Sequence, residues 1–121
     1  MYLGQKITPE EIITEIIKRT NQDSGMNIWI TAPTLDKASI YLERLKSIDP
    51  SSLPLWGIPF AIKDNIDVKG IETTAGCPEY AYLPTEHAEI VNRMVAAGAI
   101  PQAAWVKRVR YCTRLLKKLC F

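Results

Sequence analysis

Residues 54–77 read Pro-Leu-Trp-Gly-Ile-Pro-Phe-Ala-Ile-Lys-Asp-Asn-Ile-Asp-Val-Lys-Gly-Ile-Glu-Thr-Thr-Ala-Gly-Cys. Within them, Ile58–Lys63 is an apolar run of strand length that ends in a lysine just before a polar turn. A lysine so placed has two courses open. Drawn into apolar surroundings, its ammonium loses hydration and must find anions or shed its proton, and a neutral lysine can activate a hydroxyl nucleophile as histidine does in serine triads. Left at the strand end, it snorkels into solvent and pairs with Asp64 or Asp67.

Serines bear directly on the first course. The chain has Ser24, Ser39, Ser47, Ser51 and Ser52, all upstream of Lys63, and none after it. These five occupy helix or linker settings without glycine-rich surroundings, and none is expected to be a nucleophile.

Working outward, Thr8-Pro9-Glu10-Glu11 is a capping box with proline at the first helical position, so a helix is expected from there to about Arg19. Ile12, Ile13, Ile16 and Ile17 form its apolar stripe, and Asn21–Gly25 ends it. Ile28-Trp29-Ile30 is a short apolar stretch whose tryptophan is expected to anchor core. A second helix is expected from about Thr34 to Lys46 with Leu35, Ala38, Leu42 and Leu45 inward, stopped by Asp49-Pro50-Ser51-Ser52.

Downstream of Lys63, Gly70 permits a reversal, and Ile71–Thr74 is expected to run back in extended form. A third helix is expected over Glu86–Ala97, capped by Thr85, with Ile90, Val91, Met94 and Val95 buried and Gly98 as its left-handed stop. Ala99-Ile100 would open the next strand. Helix, helix, strand, helix, strand is the opening of an α/β sandwich, a mixed sheet covered by helices, here incomplete. A lysine strand in the middle of such a sheet, without neighbours, would leave two unpaired edges, so the chain alone is expected to be marginally stable.

Over residues 5–101 the sequence resembles the amidase signature family. Gly57-Ile58-Pro59-Phe60-Ala61-Ile62-Lys63-Asp64-Asn65 is similar to that family's lysine strand, and Thr73-Thr74-Ala75-Gly76-Cys77 to its next block. Asn65–Gly70 together with Cys77-Pro78-Glu79-Tyr80-Ala81-Tyr82 most resembles the allophanate hydrolases, which cleave urea-1-carboxylate to ammonia and carbon dioxide. The resemblance implies that Lys63 is the catalytic lysine, drawing a proton from a bridging serine that in turn activates a nucleophilic serine. It implies a small amide as substrate, no metal and no cofactor. Both serines lie downstream of the lysine in family members, so residues 1–101 are expected to be an N-terminal fragment of the amidase domain, inactive alone, and open to self-association or association with the missing part.

After Pro101 the resemblance stops, and residues 102–121 are set apart as an unrelated basic tail of the kind a frameshift produces. Residues 1–101 carry 9 basic and 13 acidic side chains, a balance of −4, whereas 102–121 carry 6 basic and none acidic. Read as a helix, the tail places Trp105, Val109, Cys112, Leu116 and Leu119 on one face, which leaves open a non-catalytic interaction module acting through it.

The remaining features exclude more than they assign. Hydrophobic residues at 47% and charged at 23% suit a soluble globular unit. No run of about 18 apolar residues offers a membrane span, the N-terminus has no secretory apolar core, and a cytoplasmic location without nucleic-acid partners is expected. Cys77, Cys112 and Cys120 form no paired spacing and have only His87 to help, which argues against zinc and against a disulfide framework. Cys77 reads as a small buried thiol in a turn, and His87 as an ordinary exposed residue in the first turn of the third helix.

Overall fold

In the computed structural model, which describes residues 7–26 and 28–105, the strand bearing Lys63 finds its partner in the next strand along the chain. The elements run α1 (Pro9–Gln22), β1 (Trp29–Thr31), α2 (Leu35–Lys46), β2 (Pro59–Lys63), α3 (Glu89–Ala96) and β3 (Ile100–Trp105). The strand order is β1-β3-β2, with β3 antiparallel to β1 and parallel to β2. This is the expected mixed α/β sheet with helices packed on it. The central strand, however, is β3, and β2 pairs on one side only among the described residues.

Local chemistry explains the helix ends. Thr8 and Glu11 form a reciprocal capping box, with the Thr8 N–H donating to Glu11 Oε2 at 2.7 Å and the Glu11 N–H to Thr8 Oγ1 at 3.2 Å. Thr34 caps α2 in the same sense, accepting from the Lys37 N–H. Both helices bury one stripe against β3: Ile13, Ala38, Leu45 and Ile100 form a closed cluster, with Ile17, Tyr41, Leu42, Leu53 and Trp56 around it. Leu35, expected inward, stands 43% exposed at the first turn of α2. A second cluster, Ile62, Val68, Ile71 and Val91, joins β2 to α3 and to the turn between them.

The third helix begins three residues later than Thr85 capping would place it. Ala88 is the N-cap and uses no side-chain bond, because its own N–H donates to Asp67 O at 2.9 Å and holds the chain extended up to that point. The later start also turns Ile90 outward, to 54% exposure, while Val91 is fully buried. Gly98 ends the helix with φ +98°. No other residue fits there, since a Cβ would lie 2.8 Å from the Trp56 Cα. That close approach lets Leu55 and Gly57 donate to the carbonyls of Ala97 and Gly98, and Ile100 to that of Ile58, each at 2.9 Å. The starts of β2 and β3 are thereby stitched together.

Ile28-Trp29-Ile30 contributes a strand too short for a periodicity signal. Trp105, placed on a helix face by the spacing of the tail, pairs in β3 with Trp29 and Lys63 instead. The remaining tail positions, Val109, Cys112, Leu116 and Leu119, lie outside the described residues, as does Cys120.

Candidate functional site

Lys63 closes β2 at the carboxyl end of the parallel pair β2–β3, the end of such sheets at which ligands usually bind. Alternation along the strand sets its direction: Ile62 is buried, Lys63 is exposed and Asp64 is buried again, at 4%. The lysine therefore faces solvent while its neighbour turns inward.

The buried carboxylate of Asp64 organises the loop beyond the strand. It accepts from the Thr74 N–H at 3.1 Å, from the Thr74 hydroxyl, and from the Gly76 N–H at 2.9 Å, while its own carbonyl accepts from the Ala75 N–H at 3.0 Å. These bonds fold the Thr74–Gly76 turn against the end of β2, with Ala75 and Gly76 both at positive φ, 50° and 75°. Asp67 plays a parallel part. Its Oδ1 accepts from the Thr73 hydroxyl at 2.8 Å and from the Tyr82 hydroxyl at 2.6 Å. Accepting from Tyr82 holds that phenol protonated and raises its pKa above the ordinary value.

Both carboxylates are thus engaged with hydroxyls and amides, and Lys63 forms no ion pair among the described residues. Pairing with Asp64 or Asp67, one of the two courses open to the lysine, does not occur. The lysine stands at the strand end with its amine available to another group. Four of the five upstream serines are engaged elsewhere: Ser39, Ser47 and Ser52 donate to backbone carbonyls of Asp36, Arg44 and Asp49, and Ser51 to the Asp49 carboxylate.

Two residues depart from their expected settings. Cys77 is exposed rather than buried, donating its thiol to Glu79 Oε2 at 3.1 Å, which lowers the pKa of that carboxylate. His87 is half-buried and precedes α3. Its Nδ1 accepts from the Lys69 N–H at 3.0 Å, and its Nε2 lies 3.4 Å from the Tyr41 hydroxyl. The histidine links three parts of the chain, and no local pattern announced it, because both partners are distant in sequence. The described residues contain no grouping of three or more His, Cys, Asp or Glu side chains able to hold a metal ion.

An apolar groove of about 190 Å³ lies away from Lys63, at the start of β2. Ile16, Thr20, Trp29, Phe60 and Gln102 are among its walls. Gln102 is 3% exposed and its Oε1 has no hydrogen-bond donor among the described residues. A buried amide oxygen without a donor is costly, and this groove leaves one in place.

The family model for amidases, described as Amidase, matches residues 10–104. Urea amidolyase of Saccharomyces cerevisiae is 43% identical over 75 residues, 61% of this chain and 4% of that protein. Mandelamide hydrolase of Pseudomonas putida is 36% identical over 101 residues, 79% of this chain and 20% of that protein. Among solved structures, the allophanate hydrolase of Kluyveromyces lactis superposes with a TM-score of 0.72 at 32% identity, over 86% of this chain and 18% of that one. The chain thus spans a fifth or less of each of these three relatives.

Proposed function

The chain belongs to the amidase family, and on that premise we propose that Lys63 is the proton carrier of an amide hydrolase of the allophanate hydrolase type. The observation that carries the reading is the state of Lys63: exposed at the carboxyl end of β2, in an allophanate hydrolase-like segment, with neighbouring carboxylates already engaged elsewhere. An amine not bonded to Asp64 or Asp67 is left to meet a serine hydroxyl carried by further polypeptide, and burial beneath that polypeptide would favour its neutral form.

The reaction runs as acyl transfer to serine and then to water. Neutral Lys63 takes a proton from a bridging serine, which takes one from the nucleophilic serine as that oxygen attacks the amide carbonyl. The same relay returns the proton to the nitrogen as the C–N bond breaks, and the neutral lysine then draws a proton from the water that cleaves the acyl-serine ester, returning it to the serine oxygen. This lysine–serine chemistry needs no metal, and the hydrolytic step needs no ATP. With allophanate the products are ammonia and carbon dioxide. A cytoplasmic setting goes with this substrate, and among the described residues no helix is long and apolar enough to cross a membrane.

No serine follows Lys63 within these 121 residues. The two serines therefore come from polypeptide outside them, in the same protein or in another. The groove at the start of β2 and the open edge of that strand support the same reading, because both are surfaces that further amidase polypeptide would cover, with a backbone N–H meeting Gln102 Oε1. Incubating the purified 121-residue chain with allophanate should release no ammonia, and steady release that Lys63→Ala leaves unchanged would overturn the proposal.

A further inference from the structure

His87 is the only histidine of the chain, and its hydrogen bonds fix its protonation state. A backbone N–H can only donate, so the Lys69 N–H at 3.0 Å requires an unprotonated Nδ1. The ring is then neutral with its proton on Nε2, directed at the Tyr41 oxygen 3.4 Å away. Three parts of the fold meet at this one side chain: the Val68–Ile71 turn through Lys69, α2 through Tyr41, and the entry to α3 through the backbone of residues 87 and 88. The same junction carries two backbone-side contacts, Ala88 N–H to Asp67 O at 2.9 Å and Asn92 Nδ2 to His87 O at 3.4 Å.

We propose that neutral His87 is a pH-sensitive latch that fastens the Val68–Ile71 turn to α2 and to the entry of α3, and that protonation of the ring releases the turn. A proton on Nδ1 converts the acceptor into a donor and sets it against the Lys69 N–H, so the bond cannot survive the change. The surroundings do not welcome the added charge. Lys69 on the turn is itself cationic, and Tyr41 on α2 offers a neutral hydroxyl. Arg44, farther along α2, donates to Val95 O. Asp67 is occupied by Thr73 and Tyr82, Glu89 pairs with Arg93, and Glu86 is exposed. In keeping with this, burial first and the Lys69 charge second lower the pKa of His87 from 6.5. A base whose folded pKa is depressed contributes stability that is full above the unfolded value and is lost as pH falls below about 6.5.

Residue-resolved NMR of the 121-residue chain between pH 8 and pH 5 tests the latch. The His87 ring should titrate below 6.5, and the protection factor of the Lys69 amide should fall roughly fivefold or more with the same midpoint, while the Ile17 amide in α1 keeps its protection. In His87→Gln the Lys69 amide should lose this pH dependence; the unsubstituted titration stands alone if that variant does not fold. A ring that titrates at or above 6.5 overturns the proposal. So does Lys69 protection that is absent throughout, indifferent to pH, or still pH-dependent in His87→Gln.

Discussion

β2 is five residues long, and its two ends are completed in different ways. At the carboxyl end, Asp64 and Asp67 gather five donors from the chain between Thr73 and Tyr82, so the polypeptide beyond Lys63 is held by hydrogen bonds it supplies itself. At the amino end, backbone bonds through Gly98 fix the strand in place, but among the described residues the adjoining groove stays open and Gln102 Oε1 has no donor. One end holds its own loop and presents a lysine without an ion pair among the described residues. The other presents apolar surface and an unmet acceptor, as expected of a face that further polypeptide covers. On the proposed reading, the first end is where the chemistry occurs and the second is where further amidase polypeptide attaches.

Substitutions at each end sharpen the contrast. Asp64→Ala should have the largest effect: with its carboxylate gone, the buried Thr74 N–H and hydroxyl lose their acceptor and the Gly76 N–H keeps only Thr74 Oγ1, a loss of about 4 kcal/mol. Urea denaturation followed by far-ultraviolet circular dichroism would measure it, and a loss under about 1 kcal/mol would show that the carboxyl end is not held as described. Gly98→Ala comes next, at about 3 kcal/mol, because the new methyl meets Trp56 backbone and the position has a left-handed φ. A neutral result there would break the account of how the amino end is fixed. Gln102→Met should act in the opposite direction, stabilising the isolated chain by about 1 kcal/mol, because relieving the unmet Oε1 outweighs losing the long 3.4 Å bond from Nε2 to Pro101 O. Destabilisation by that change would mean that the amide has a donor after all.

What could be read from the sequence was local. The Thr8/Glu11 capping box, the isoleucine stripe of α1, the extent of α2, the lysine strand and the glycine stop at Gly98 each depend on residues within about one turn of one another, and each occurs in the structure. What could not be read was tertiary. Asp64 finds Thr74 and Gly76 across a loop, and His87 is placed by Lys69 and Tyr41 rather than by the helix it precedes. The same bonding displaced the start of α3 and exposed Ile90, since the Asp67 carbonyl claims the Ala88 N–H. At the site, the position of Lys63 at a strand end was legible, but its freedom from Asp64 and Asp67 was not, because that freedom depends on distant hydroxyls and amides. β1 escaped notice because three residues hold too few alternations to register, and its partner β3 lies far along the chain.

The most direct test of the central claim is ammonia release from allophanate by a chimera in which residues 10–104 replace the aligned segment of the Kluyveromyces lactis allophanate hydrolase. If Lys63 is the proton carrier, the chimera hydrolyses allophanate and Lys63→Ala lowers the rate at least roughly 10³-fold with the fold intact. Release that Lys63→Ala leaves unchanged would contradict the account.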